Sequence, residues 1–218
     1  MKTKITNLLL VSGLLIAQMA SAQGTLQVSN LNATPVGSAP IASDAWIAQL
    51  FRTGTNASGY NFNSAQLLMN PGSGSLSGFA VALYSSSTPG GTLGNPQSSL
   101  GILAGSDPAG GGTFTYTASG ITLSASTWYF VLATAATPVA QGSYVWSAGP
   151  SFIVNGLDQW LLDDVYYSTT DGSSWTRHLR EGEFQMALYA TPVPEPAACA
   201  LAGLGMVAFG FMRRGQRR

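Results

Sequence analysis

One cysteine and one histidine occur in 218 residues. A single cysteine excludes an internal disulfide framework and a cysteine-rich zinc site. A single histidine removes most histidine-based metal and triad chemistry. Charge is scarce as well: 8% of residues are charged, against about 25% in an average soluble domain. The formal net charge is zero, which excludes a nucleic-acid binder driven by a basic surface. What the chain has instead is 45% apolar residues, enough for a buried core, together with 26 glycines and 11 prolines. That glycine and proline content is high but short of the composition of a disordered chain.

Both ends read as addresses. Lys2 and Lys4 precede the apolar run Leu8 to Ala17, which is too short to span a bilayer as a mature helix. Ala20-Ser21-Ala22 then offers a small-residue cleavage site before Gln23, so residues 1–22 are predicted to be a signal peptide. At the other end, Val193-Pro194-Glu195-Pro196 cannot begin inside a helix, because each proline lacks an N–H and restricts the residue before it. Residues 197–212 carry no charge, and Arg213, Arg214, Arg217 and Arg218 follow. As a helix this run reaches about 24 Å, slightly short of a ~30 Å hydrocarbon core, and snorkelling arginines make up part of the gap. The arginines predict a cytoplasmic C-terminus and an exported domain before it. Cys199 lies within the apolar run as a small hydrophobe.

Residues 192–218 resemble the PEP-CTERM sorting signal: Pro194-Glu195-Pro196, an apolar helix, then terminal arginines. The resemblance implies an exosortase-like membrane protease or transpeptidase as partner, with transient anchoring in the inner membrane of a Gram-negative cell that makes exopolysaccharide. It implies cleavage near the motif and passage to the cell surface or the medium. Val193 to Pro196 and the four arginines are then a processing site on a substrate, not catalytic groups.

Residues 23–191 form the remaining domain. It carries Arg52, Arg177 and Arg180 against eight carboxylates, a net of −5, and every other cationic side chain lies in the two ends. An acidic surface argues against phosphate-rich partners, so no nucleic acid is expected. Phe79, Val81 and Leu83 alternate with Ala80, Ala82 and Tyr84, and Phe114 and Tyr116 alternate with Thr113, Thr115 and Thr117. Trp128, Phe130 and Leu132 share one face, and Phe184, Met186 and Leu188 another. This period of two is the strand signal. Trp46 to Thr53, Tyr60 to Met69 and Leu161 to Thr169 are further strands. Ser119-Gly120 and similar pairs read as breakers, and Asp171-Gly172 as a type I′ hairpin turn. The expected fold is all-β: an antiparallel, jelly-roll-like sandwich between a signal peptide and a C-terminal hydrophobic helix.

The domain also resembles the exported module choice-of-anchor R. The likeness rests on Trp46 with Phe51-Arg52-Thr53-Gly54, on Thr115 to Leu123 with Trp128-Tyr129, on Asp171 to Trp175, and on Phe184 to Ala190. It implies fold and surface location, and no activity.

Chemistry is sparse. His178 reads as a surface histidine in a polar loop, and no G-x-S-x-G elbow surrounds any serine, so no enzyme is expected. Asp158, Asp163 and Asp164 are the densest acidic patch, but Asp163 and Asp164 should point to opposite faces of a strand, and no calcium-loop motif is present. Neither a metal nor another cofactor is expected. Trp175, which follows the Asp171-Gly172 turn, and Trp160 are candidates for stacking on sugar rings. Filling a core is the alternative use of such aromatics. The leading expectation is a non-enzymatic surface or matrix protein associated with exopolysaccharide or biofilm. The competing one is a carbohydrate-binding module for exopolysaccharide.

Overall fold

The computed structural model describes residues 24–87, 94–179 and 181–195. Within them the strands are β1 (Thr25–Ser29), β2 (Gly37–Ile41), β3 (Trp46–Arg52), β4 (Tyr60–Gly74), β5 (Ala80–Ser86), β6 (Pro96–Leu103), β7 (Gly112–Leu123), β8 (Trp128–Thr134), β9 (Gly142–Gly149), β10 (Val154–Asn155), β11 (Leu161–Thr169), β12 (Thr176–Leu179), β13 (Glu183–Phe184) and β14 (Met186–Pro192). The predicted signal peptide, the apolar segment 197–212, Pro196 and the terminal arginines lie outside the described residues. Among the described residues no helix is long and apolar enough to cross a membrane.

Two sheets hold all fourteen strands, and every pairing is antiparallel. In the first, β1, β14, β4, β9 and β13 lie in that order, with β2 on β9 and β7 on β4. In the second the order is β10, β11, β3, β8, β5 and β6, with β12 on β11. The sheets share one core. Leu67, Met69, Tyr144 and Trp146 of the first meet Phe51, Val81, Leu83 and Val131 of the second.

The period of two explains a second cluster. On β8, Tyr129, Val131 and Ala133 point into the shared core, while Phe130 and Leu132 join Ala48, Leu50, Val165 and Tyr167 on the opposite face of the second sheet. That face is covered by the half-buried side chains of Trp46, Tyr84, Trp128 and Trp175. Alternation alone predicts a half-buried β8, whereas both of its faces are packed.

Three local expectations are revised. Gly120 does not end a strand: β7 runs through it at φ 70°. The register passes from Phe62↔Ile121 to Ser64↔Thr117, so one residue of β4 opposes three of β7, and the glycine sits in a bulge. β4 likewise continues past Met69 through Pro71, where the pairing with β9 skips from Asn70 to Ser73. A proline cannot donate to a ladder, and the bulge is where that omission is tolerated. The Asp171-Gly172 pair does join a hairpin, but not by a two-residue turn. The innermost pair is Ser168↔Thr176, leaving a seven-residue loop. Asp171 Oδ1 accepts from the backbone N–H of Ser173 and Ser174, both at 2.8 Å, and Gly172 alone turns left-handed, at φ 74°.

Candidate functional site

A cleft of about 480 Å³ opens where β2 of the first sheet approaches the β3–β11–β12 side of the second. Ala39, Pro40, Ala45, Trp46 and Ile47 supply its apolar wall. Tyr166, Ser168, Thr170, Ser174, Thr176 and His178 supply its polar wall. Strand pairing builds this polar wall. Tyr166 stands opposite His178, and Ser168 opposite Thr176, so Ser168 and His178 are diagonal neighbours across the β11–β12 ladder.

His178 is therefore not in a loop. It lies on β12 with 23% of its side chain exposed, and both ring nitrogens are engaged. Nε2 is 2.8 Å from Ser168 Oγ, and Nδ1 is 2.9 Å from Glu181 Oε2. Its ring stacks on Tyr166 at 4.4 Å with 5° between planes, and the Tyr166 hydroxyl donates to the same Glu181 oxygen at 3.2 Å. Burial, together with the Glu181 carboxylate, pushes the Tyr166 phenol up to about 12, so it stays a donor. Nothing in the linear sequence brings Ser168, His178 and Glu181 together. The only available signal was the hairpin register.

The other predicted residues are placed as follows. Trp160 is fully buried, stacked on Phe51 at 5.9 Å and edge-on to Tyr60 at 5.0 Å, so it is a core residue and not a sugar platform. Trp175 is half-buried and packs with Trp46, Trp128 and Tyr84 over the second cluster. Asp158 receives the hydroxyls of Tyr60 and Thr55, the latter at 2.7 Å, and these bonds hold its carboxyl below the usual carboxylate range. Asp163 and Asp164 fall within an irregular stretch of β11 between Leu162 and Tyr166, where simple alternation fails. Burial, and then the neighbouring Asp164 carboxylate, raise Asp163 to about 6.

Glu183 was not singled out in the sequence. It is fully buried, neither carboxylate oxygen has a hydrogen-bond partner, and burial raises it to about 8. Asn30 beside it offsets part of that rise, but its amide nitrogen donates to Phe184 O at 3.2 Å instead. Among the described residues no three His, Cys, Asp or Glu side chains are placed to hold a metal ion.

The end of the domain is firmly held. β14 pairs with β4 as far as Pro192↔Tyr60. Val193 N–H then donates to Gly59 O at 3.0 Å, and Asn56 Nδ2 donates to Val193 O at 3.0 Å. Pro194 and Glu195 follow, both exposed.

No curated protein and no solved structure is matched by the chain. The family model of the PEP-CTERM protein-sorting motif matches residues 192–218, which marks the chain as a substrate of exosortase-type sorting.

Proposed function

We propose that this chain is an exported surface protein whose β domain is delivered by its own C-terminal tail. In this reading a signal peptide over residues 1–22 directs export. A jelly-roll-like sandwich of choice-of-anchor R type folds outside the inner membrane, and an exosortase-type enzyme cuts near Pro194-Glu195-Pro196. The domain then takes a structural place in an exopolysaccharide or biofilm layer. The observation that carries this is the sorting-motif match at residues 192–218, directly behind the last strand. The net acidic, cysteine-free domain supports it, since such a body is soluble and indifferent to an oxidising compartment.

The test is intact-mass and terminal-peptide analysis of surface and membrane fractions from a host that has the sorting enzyme. The surface form is expected to begin near Gln23 and to stop near Pro194. Glu195→Ala, or neutral residues in place of Arg213, Arg214, Arg217 and Arg218, is expected to leave an uncut membrane form. A surface form that retains residues 197–218 sinks the proposal.

A second reading, binding of exopolysaccharide, is favoured by one observation. Trp46, Tyr84, Trp128 and Trp175 converge on the same face of the second sheet, each only partly buried. Partly exposed aromatic rings side by side offer sugar faces a stacking surface. Retention of the protein on the host's polysaccharide, lost with Trp175→Ala while the melting temperature holds, would establish that reading.

A further inference from the structure

We propose that Ser168, His178 and Glu181 form a hydrolytic site for short-chain carboxylic esters of neutral alcohols. Ser168 is the nucleophile, His178 the general base and Glu181 a positioning residue. This goes beyond delivery to the surface and does not depend on it. The expectation of no enzyme rests on linear motifs, and a constellation assembled across a strand ladder has none.

The hydrogen-bond directions follow from elementary chemistry. An ionised carboxylate only accepts, so at 2.9 Å the Nδ1 atom carries the proton and donates to Glu181 Oε2. In the neutral imidazole Nε2 is then the acceptor, and the Ser168 hydroxyl, 2.8 Å away, donates to it. Nucleophile, base and orienting carboxylate stand in that order, each within hydrogen-bond reach of the next. The Tyr166 ring fixes the imidazole plane by stacking, and its hydroxyl holds the Glu181 oxygen that His178 uses.

The surroundings define the substrate class. Ser168 and His178 both line the cleft, whose volume of about 480 Å³ suits a small ligand. Its lining includes Asp44 but no lysine or arginine, so an anionic acyl donor or a phosphoester finds no counter-charge there. The apolar wall suits a short acyl chain. Thr170, Ser174 and Thr176 also line the cleft, and their hydroxyls are the candidate donors for a developing oxyanion.

The reaction balances without a further reagent. Ser168 Oγ bonds to the ester carbonyl carbon as its proton passes to His178 Nε2. The tetrahedral adduct collapses, the carbon–alkoxy bond breaks, and the departing alkoxide takes the proton from Nε2 as free alcohol. Water then gives a proton to Nε2 and attacks the acyl-serine. Collapse breaks the bond to Oγ, which recovers that proton, and the carboxylic acid leaves.

The experiment uses the purified full-length chain with two probes: a fluorophosphonate, located by peptide mass spectrometry, and 4-nitrophenyl acetate turnover. The expected result is covalent label on Ser168 and turnover that falls at least a hundredfold in Ser168→Ala and in His178→Ala. Glu181→Gln should lower kcat tenfold or more while KM stays within twofold, a split that loss of a merely structural contact would not give. Ser168→Ala removes only a hydroxyl from a strand, so it decides the matter even if His178→Ala fails to fold. Absence of label on Ser168, or turnover by Ser168→Ala within twofold of the unaltered chain, overturns the proposal. Either result leaves the processing experiment unaffected.

Discussion

Glu183 is the residue most at odds with its surroundings. Its carboxyl is buried without a hydrogen-bond partner and is raised to about 8 from an ordinary value of 4.5. The folded state therefore keeps a proton that the unfolded state releases above pH 4.5. Stability falls wherever the native state binds more protons, so this contribution is fully present below about 4.5 and is lost as pH rises toward 8. The slope it adds cannot exceed about 1.4 kcal/mol per pH unit. Asp163, raised to about 6, adds a smaller loss in the same direction between its ordinary value and 6. Melting curves from pH 5 to 8 should show a falling transition temperature. Glu183→Gln should flatten that fall and raise the transition at pH 8. Little at this scale was legible beforehand. Phe184, Met186 and Leu188 mark a strand there, but nothing in the sequence shows that the Glu183 side chain beside them is enclosed. Trp160 and Trp175 looked alike as residues, and only the packing against Phe51 and Tyr60 separates a core ring from a surface one.

At the scale of elements, the period of two carried most of the fold. β3, β5, β8 and β11 fall where alternation places them, because each alternate side chain has a core to enter. Bulges were not legible. Gly120 reads as a breaker from its own chemistry and the expected strand stops at Met69, and only the partner strands show that the ladder resumes beyond them. The constellation of Ser168, His178 and Glu181 was hidden for the same reason, since its members are neighbours through register and not through spacing. The β11–β12 loop holds that register. A Cβ on Gly172 would meet the Trp46 ring at 2.9 Å, and its φ of 74° is left-handed. Gly172→Ala should therefore cost at least the ~1–2 kcal/mol of an unfavourable left-handed residue, seen as a lower melting temperature with altered tryptophan fluorescence. Gly120, also left-handed but with open space around its missing Cβ, should cost no more than that backbone penalty.

For the whole molecule, two antiparallel sheets around one core were expected and are present, with no disulfide called upon to hold them. The only cysteine is Cys199, in the tail. A reductant should leave the melting temperature of the processed protein unchanged. A shift of more than a degree or two would contradict this. Its far-ultraviolet spectrum should be that of β-structure, and dominant helix would contradict the fold.

The clamp on Val193 sets a clearance. Asn56 and Gly59 hold that residue against the sheet, and the apolar segment assigned to the bilayer begins at residue 197. Four residue steps separate them, which span at most about 14 Å even when fully extended. In the proposed processing, an enzyme that cuts near Pro194 has to work within that short reach of the folded body. Under that proposal, folding and release compete for the same few residues. A Gly-Ser spacer inserted between Val193 and Pro194 should speed release in a pulse-chase experiment, and Asn56→Ala, which loosens the clamp, should do so by less. Equal rates for all three chains would mean that the gap is already wide enough. With the predicted ordering, the distance between the last hydrogen bond of a domain and its cleavage motif becomes a timer for how long each copy stays tethered.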